Sequence, residues 1–113
     1  MTPREHLTSL FAAWEHGDAL RAAAHFAADG SYSEAGRPAT QGRDAIASHF
    51  TRFFRDGPAW RFMVDTVLVE GERAAVAYRF ALEGAPGTWR ERAGCAMVRF
   101  AEGAITEWQE YEA

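Results

Sequence analysis

Four histidines, one cysteine and sixteen acidic residues are the groups with which this chain could do chemistry. Metal ligation favours paired imidazoles, such as two at i and i+4 on one helix face. No two histidines here stand at that spacing, so no metal site is expected. His6, His16 and His25 fall on or near predicted helix ends without a partner at ligand spacing. His49 lies at the edge of a predicted apolar helix face, where it reaches either a pocket mouth or plain solvent. Cys95 has no basic neighbour in sequence to hold a thiolate, and reads as a small buried thiol. A lone cysteine forms no internal disulfide, which points to a reducing, cytoplasmic compartment.

Four tryptophans, eight phenylalanines and three tyrosines are many for 113 residues. So much ring surface lines a cavity in some small domains and fills the core in others. Trp14, Phe50, Phe53, Phe54, Trp60 and Trp108 are the candidates for a pocket wall. At 48% hydrophobic and 25% charged residues, the chain has the composition of one packed domain spanning residues 1–113. The net charge of -4 lacks the basic stripe that nucleic acid requires. No apolar run approaches the roughly 20 residues of a membrane span, and no apolar core of a signal peptide follows Met1.

These residues need elements to hold them. Thr2-Pro3-Arg4-Glu5 is a capping box with proline at the first helical position. Leu7, Leu10, Phe11 and Trp14 continue at helical spacing until Gly17. Asp18 caps a second short helix carrying Leu20, Ala23 and Phe26, which Asp29-Gly30 ends. Ser31 to Glu34 reads as a short strand, and Ala35 to Gln41 as a loop. A third helix starts at Gly42-Arg43-Asp44, buries Ile46, Phe50, Phe53 and Phe54, and stops at Asp56-Gly57-Pro58. From Trp60 the period becomes two, giving four strands separated by turns at Glu70-Gly71-Glu72, Gly84 to Gly87 and Ala101-Glu102-Gly103. The expected fold is α+β: three N-terminal helices packed in a strongly bent antiparallel sheet that curls into a cone-shaped barrel around an internal pocket.

Several motifs in this order resemble one superfamily. They are His16-Gly17-Asp18, Phe26-Ala27-Ala28-Asp29, Gly42-Arg43-Asp44-Ala45-Ile46, and the closing Phe100 to Ile105 followed by Glu107-Trp108-Gln109-Glu110-Tyr111. Together they are similar to the nuclear transport factor 2-like fold, which includes SnoaL-like polyketide cyclases, ketosteroid isomerases and limonene-1,2-epoxide hydrolases. The resemblance covers nearly the whole chain and implies a cofactor-independent domain that takes a small apolar or amphipathic molecule. Against the isomerases, Glu34 falls on the position of the base, while the two oxyanion-hole donors fall on Leu10 and Ala96, which cannot donate. Against the epoxide hydrolases, Tyr32, Arg79 and Glu110 fall on the tyrosine, the bridging arginine and the base; Glu34 replaces an asparagine, and the acid falls on Ala81.

The resemblance thus implies a cluster of Tyr32, Glu34, Arg79 and Glu110. Strand alternation allows all four to face inward, either as a proton-transfer site of isomerase, cyclase or hydrolase type or as a structural ion pair. If Arg79 points inward, Val76, Tyr78, Phe80 and Leu82 point out, and that apolar face is expected to be covered in a homodimer. The alternative to an enzyme is a non-catalytic ligand-binding or dimerising module of the same fold.

Overall fold

A computed structural model describes residues 1–113. Helix α1 (Pro3–Glu15) begins at the capping box, with Thr2 accepting from the Glu5 backbone N–H and Glu5 reaching back to that of Thr2. It buries Leu7, Leu10, Ala13 and Trp14. Helix α2 (Ala19–Ala23) is capped by Asp18. It buries alanines only, and Leu20 is exposed. Helix α3 (Arg43–Asp56) buries Ile46 and Phe50, and its Arg43 Nε donates to the Phe26 carbonyl at 2.9 Å.

Six strands follow the order β2-β1-β6-β5-β4-β3. They are β1 (Phe26–Ser33), β2 (Thr40–Gln41), β3 (Trp60–Glu70), β4 (Arg73–Glu83), β5 (Trp89–Ala101) and β6 (Ala104–Glu112). The long strands β3 to β6 are antiparallel neighbours, but β1 lies parallel to β6, so the sheet is mixed. It does not close; β2 and β3 are its edges. Register shifts at Phe26/Ser31, Val64/Thr66 and Arg99/Phe100 mark where extra residues let it coil round the helices.

The strand β1 begins five residues earlier than expected, at Phe26 rather than Ser31, and takes Phe26 to Gly30 away from α2. Gly30 belongs to the irregular part of β1. A β-carbon there would stand 3.0 Å from the carbonyl oxygens of Ala27 and Ile105, so the close crossing of β1 and β6 needs glycine.

The faces of β4 are the reverse of the expectation. Val76 and Tyr78 are buried in the cone, and Phe80 and Leu82 line its cavity. Arg79 points outward to Asp65, whose oxygens lie 3.1–3.2 Å from its guanidinium, with Glu91 at 3.7 Å. Arg79 is therefore no part of the interior cluster, and the face of Val76 and Tyr78 is no dimer surface. Energetics sets this parity. A large apolar side chain gains about 1.5–3 kcal/mol on burial, whereas each buried ion loses several kcal/mol of hydration.

A second polar feature lies under α1. His6 and His25 are both 8% exposed and face each other with their Nδ1 atoms 2.9 Å apart. His25 Nε2 stands 2.9 Å from Ser9 Oγ. His6 lies on α1 and His25 in the turn between α2 and β1, a partnership that spacing within one helix does not reveal. An Nδ1–Nδ1 contact holds one proton, so a second must break it. Burial, then His6, then Arg21 depress the His25 pKa. A folded pKa below the unfolded value gives stability that is present above about pH 6.5 and lost as pH falls through the folded value. Urea unfolding of His25→Gln followed by tryptophan fluorescence should remove that acid-side loss and, near pH 7.5, lower stability by about 1–3 kcal/mol through the orphaned His6. Equal stability of the two proteins from pH 7.5 to pH 5.5 would contradict the shared-proton arrangement.

Candidate functional site

Between α3 and the bent sheet lies a cavity of about 240 Å³. Helix α3 supplies His49, Phe50, Phe53 and Phe54 to its wall. The strands β3 and β4 supply Trp60, Phe62, Tyr78, Phe80 and Leu82, while Trp14 comes from α1 and Tyr32 from β1. Trp14 meets Tyr32, Phe50, Phe62 and Trp108 edge to face with centroids 5.2–6.5 Å apart, while Phe54 stacks on Phe50 and Trp60, and Phe62 on Tyr78.

The carboxyl of Glu110 is set into this wall. Alternation along β6 points Trp108, Glu110 and Glu112 to the same side. Trp108 is fully buried and does not line the cavity; it lies behind, and its Nε1–H donates to Glu110 Oε2 at 2.9 Å. Glu110 is 8% exposed. Loss of hydration raises its pKa from 4.5 to about 7; the Trp108 hydrogen bond opposes this, and the charges of Glu34 and Glu112 add to it. The Tyr32 hydroxyl is driven well above its ordinary value by burial and then by Glu110 and Glu34.

Tyr78 lies across from β5, opposite Gly94. A β-carbon on Gly94 would come within 2.7 Å of the Tyr78 Cζ and hydroxyl oxygen, so the missing side chain is the seat of the ring. The phenol donates to Glu112 Oε2 at 3.3 Å, and Glu112 Oε1 faces Arg92 at 3.6 Å. On another side of the cavity, Glu34 Oε1 meets His49 Nε2 at 3.0 Å. That hydrogen bond, outweighing burial, holds the Glu34 pKa below its ordinary value.

Of the predicted cluster, Tyr32, Glu34 and Glu110 lie at the cavity and Arg79 does not. Of the predicted wall residues, Trp108 stands outside the lining, and the other five, with His49, are in it. Tyr78 escaped sequence reasoning because β4 was assigned the wrong parity; Phe62 shares the face of Trp60 by strand alternation, the signal that could have added it to the wall. Glu112 escaped because it is the last strand residue. The i, i+2 spacing from Trp108 through Glu110 was the signal that could have found it. Cys95 is half-buried and pairs with Ala77 and Tyr111, rather than lying in the core.

The Glu110 shift has a thermodynamic consequence. A carboxyl whose folded pKa exceeds its unfolded one contributes stability fully present below pH 4.5 and lost as pH rises through about 7. Shifting from 4.5 to about 7 corresponds to roughly 3 kcal/mol. Unfolding free energy, measured from pH 5 to pH 8.5, should therefore fall relative to Glu110→Gln by up to that amount. Parallel curves for the two proteins would mean that Glu110 titrates as in water.

A sequence profile for the SnoaL-like domain matches residues 7–108. Among curated proteins, none is significantly similar in sequence. Among solved structures, a hypothetical protein of ketosteroid isomerase-like fold from Catenulispora acidiphila, in complex with trimethylamine, superposes with a TM-score of 0.81 at 25% identity, covering 98% of this chain and 86% of that one. An epoxide hydrolase from M. tuberculosis resembling limonene-epoxide hydrolase superposes with a TM-score of 0.82 at 18% identity, over 96% and 80% of the two chains. A putative polyketide cyclase from Xanthomonas campestris gives 0.75 at 23% identity, over 96% and 87%. The two at lower identity speak for the fold alone. With the profile spanning residues 7–108, from the buried face of α1 to the tryptophan that anchors Glu110, the chain belongs to the SnoaL-like domain family.

Proposed function

We propose that the protein binds a small, mostly apolar molecule in the ring-lined cavity and moves a proton on it, with Glu110 as the acid–base group. One observation carries this reading: a carboxyl 8% exposed, set among aromatic rings, with its pKa raised to about 7. Proton transfer is most effective when the group's pKa lies near the working pH. An ordinary surface glutamate is too weak a base for that task. Here loss of hydration makes the carboxylate more basic, and Trp108 fixes one oxygen. Glu34, kept ionised by His49, supplies a second carboxylate that favours cationic over anionic charge beside the substrate. Two carboxyls whose surroundings drive their pKa values apart are a common acid–base arrangement. The reaction class is isomerase, cyclase or hydrolase type, without a cofactor. The trimethylamine complex of the Catenulispora protein supports a small organic ligand for a protein of this fold.

The test is to screen small ketones, epoxides and amines by NMR for turnover or for solvent deuterium entering carbon. Once an active compound is found, kcat/KM should rise with pH through about 7, following the ionised fraction of Glu110. Glu110→Gln should lower kcat by roughly 10²–10⁴-fold. Turnover that survives Glu110→Gln would remove Glu110 as the acid–base group, and binding without exchange across the panel would leave a ligand-binding module in place of an enzyme.

The outer face of the sheet supports self-association. Leu68, Met97 and Tyr111 are exposed there beside Ala75 and Ala77, in rows that the strand register aligns. Apolar sheet surface of this kind is commonly covered by a second copy about a twofold axis. Sedimentation equilibrium at micromolar concentration should give a dimer and Met97→Glu a monomer; a monomeric parent protein removes this part of the reading.

A further inference from the structure

Glu110 has no cationic partner. The guanidinium of Arg92, on β5, faces Glu112, and His49, on α3, is engaged by Glu34. The other groups around Glu110 are the hydroxyls of Tyr32 on β1 and Tyr78 on β4, neutral hydrogen-bond donors that bring no positive charge. The cavity lining as a whole holds three carboxyls, Glu34, Glu110 and Glu112, against two guanidiniums, Arg37 and Arg92. All twelve basic residues of the chain are arginines, so no lysine ammonium can enter the site. Arg92 itself is 69% exposed at the side chain and stays at the rim.

The rings complete the picture. Phe53, Phe54, Trp60, Phe62 and Phe80 are only partly buried and belong to the cavity wall. Ring faces attract cations within about 6 Å of their centroids, more strongly where water is excluded. A weakly hydrated alkylammonium satisfies such a wall and a lone carboxylate together. A cavity of about 150 Å³ takes benzene, so 240 Å³ has room for about ten non-hydrogen atoms.

We propose that the cavity takes a small amine in its cationic form, an alkyl- or arylalkyl-ammonium, with the charged nitrogen beside Glu110 and its carbon against the rings. This rests on reading the cavity as the ligand site and names the class of ligand it selects. Binding returns Glu110 to its ionised form, so cation binding and proton release are linked. Glu110 is then a base in the complex at a lower pH than in the free protein. An amine substrate would accordingly shift the acid limb of kcat below that of kcat/KM.

The experiment is an NMR chemical-shift titration with choline and with its uncharged isostere 3,3-dimethylbutan-1-ol, at pH 8 and pH 5.5. At pH 8 choline should bind at least about tenfold more tightly than the alcohol through cation–π attraction and the carboxylate. Its affinity should fall by about 30-fold at pH 5.5, as the ionised fraction of a group titrating near 7 drops, while that of the alcohol holds steady. Glu110→Gln should bind choline at pH 8 as weakly as the parent does at pH 5.5, and neither ligand's affinity should then change between the two pH values. If the alcohol binds as well as choline at pH 8, the cavity remains a ligand site but the cationic class is wrong. If neither perturbs the cavity resonances, the cavity reading falls and this inference with it.

Discussion

The hydrogen bond from Trp108 to Glu110 is the contact around which the interior is organised. A carboxyl buried among rings without a donor would lose several kcal/mol of hydration uncompensated. The indole N–H provides one donor from two residues away on the same strand, so the pair is fixed by strand geometry rather than by folding of distant parts. The indole must itself be buried for this to work. It is, because Trp14 meets it edge-on at 5.2 Å and Tyr32 stacks at 6.4 Å. Helix α1 and strand β1 thus support the carboxyl indirectly, by closing the space behind its donor.

The same logic explains why Gly94 and Gly30 matter more than their size suggests. Each allows a group to approach where any side chain would collide: the Tyr78 phenol over β5 and the β6 backbone beside β1. The first sets the phenol in the polar cluster. The second draws β1, with Tyr32, alongside Trp108 in the register Tyr32↔Trp108. Two missing β-carbons therefore align the hydroxyls that flank Glu110.

Much of the fold was legible in the sequence because its signals are local. The capping box, the Gly17 and Gly57 stops and the period-two strands each depend on neighbours within a few residues. What was not legible depends on strand pairing at long range. The parallel pairing of β1 with β6 joins residues nearly eighty positions apart. The inward parity of β4 follows from which face meets the helices, and assigning Arg79 by likeness to a bridging arginine inverted it. The bulge at Val64/Thr66 carries Asp65 to the outer face beside Arg79, giving that arginine the carboxylate it would otherwise seek inside. The partnership of His6 with His25 joins α1 to the turn before β1, which no periodicity connects.

The register also alters what the departures from related mechanisms mean. The resemblance sets Ala96 on the position where ketosteroid isomerases carry an acidic hydrogen-bond donor, and a methyl group cannot donate. In the sheet, Ala96 is the direct neighbour of Glu110. The carboxyl is present at the same level of the cone, one strand over, and Ala96 is fully buried beneath it as a small side chain that leaves it room. The buried carboxyl of this chain stands on β6, and its companions are an indole and, through Glu112, a rim arginine. An interior that keeps a carboxyl against hydration loss and surrounds it with rings, but gives it no cation, is incomplete in charge. That deficit separates this cone from a structural ion pair, in which both signs would be present within the chain.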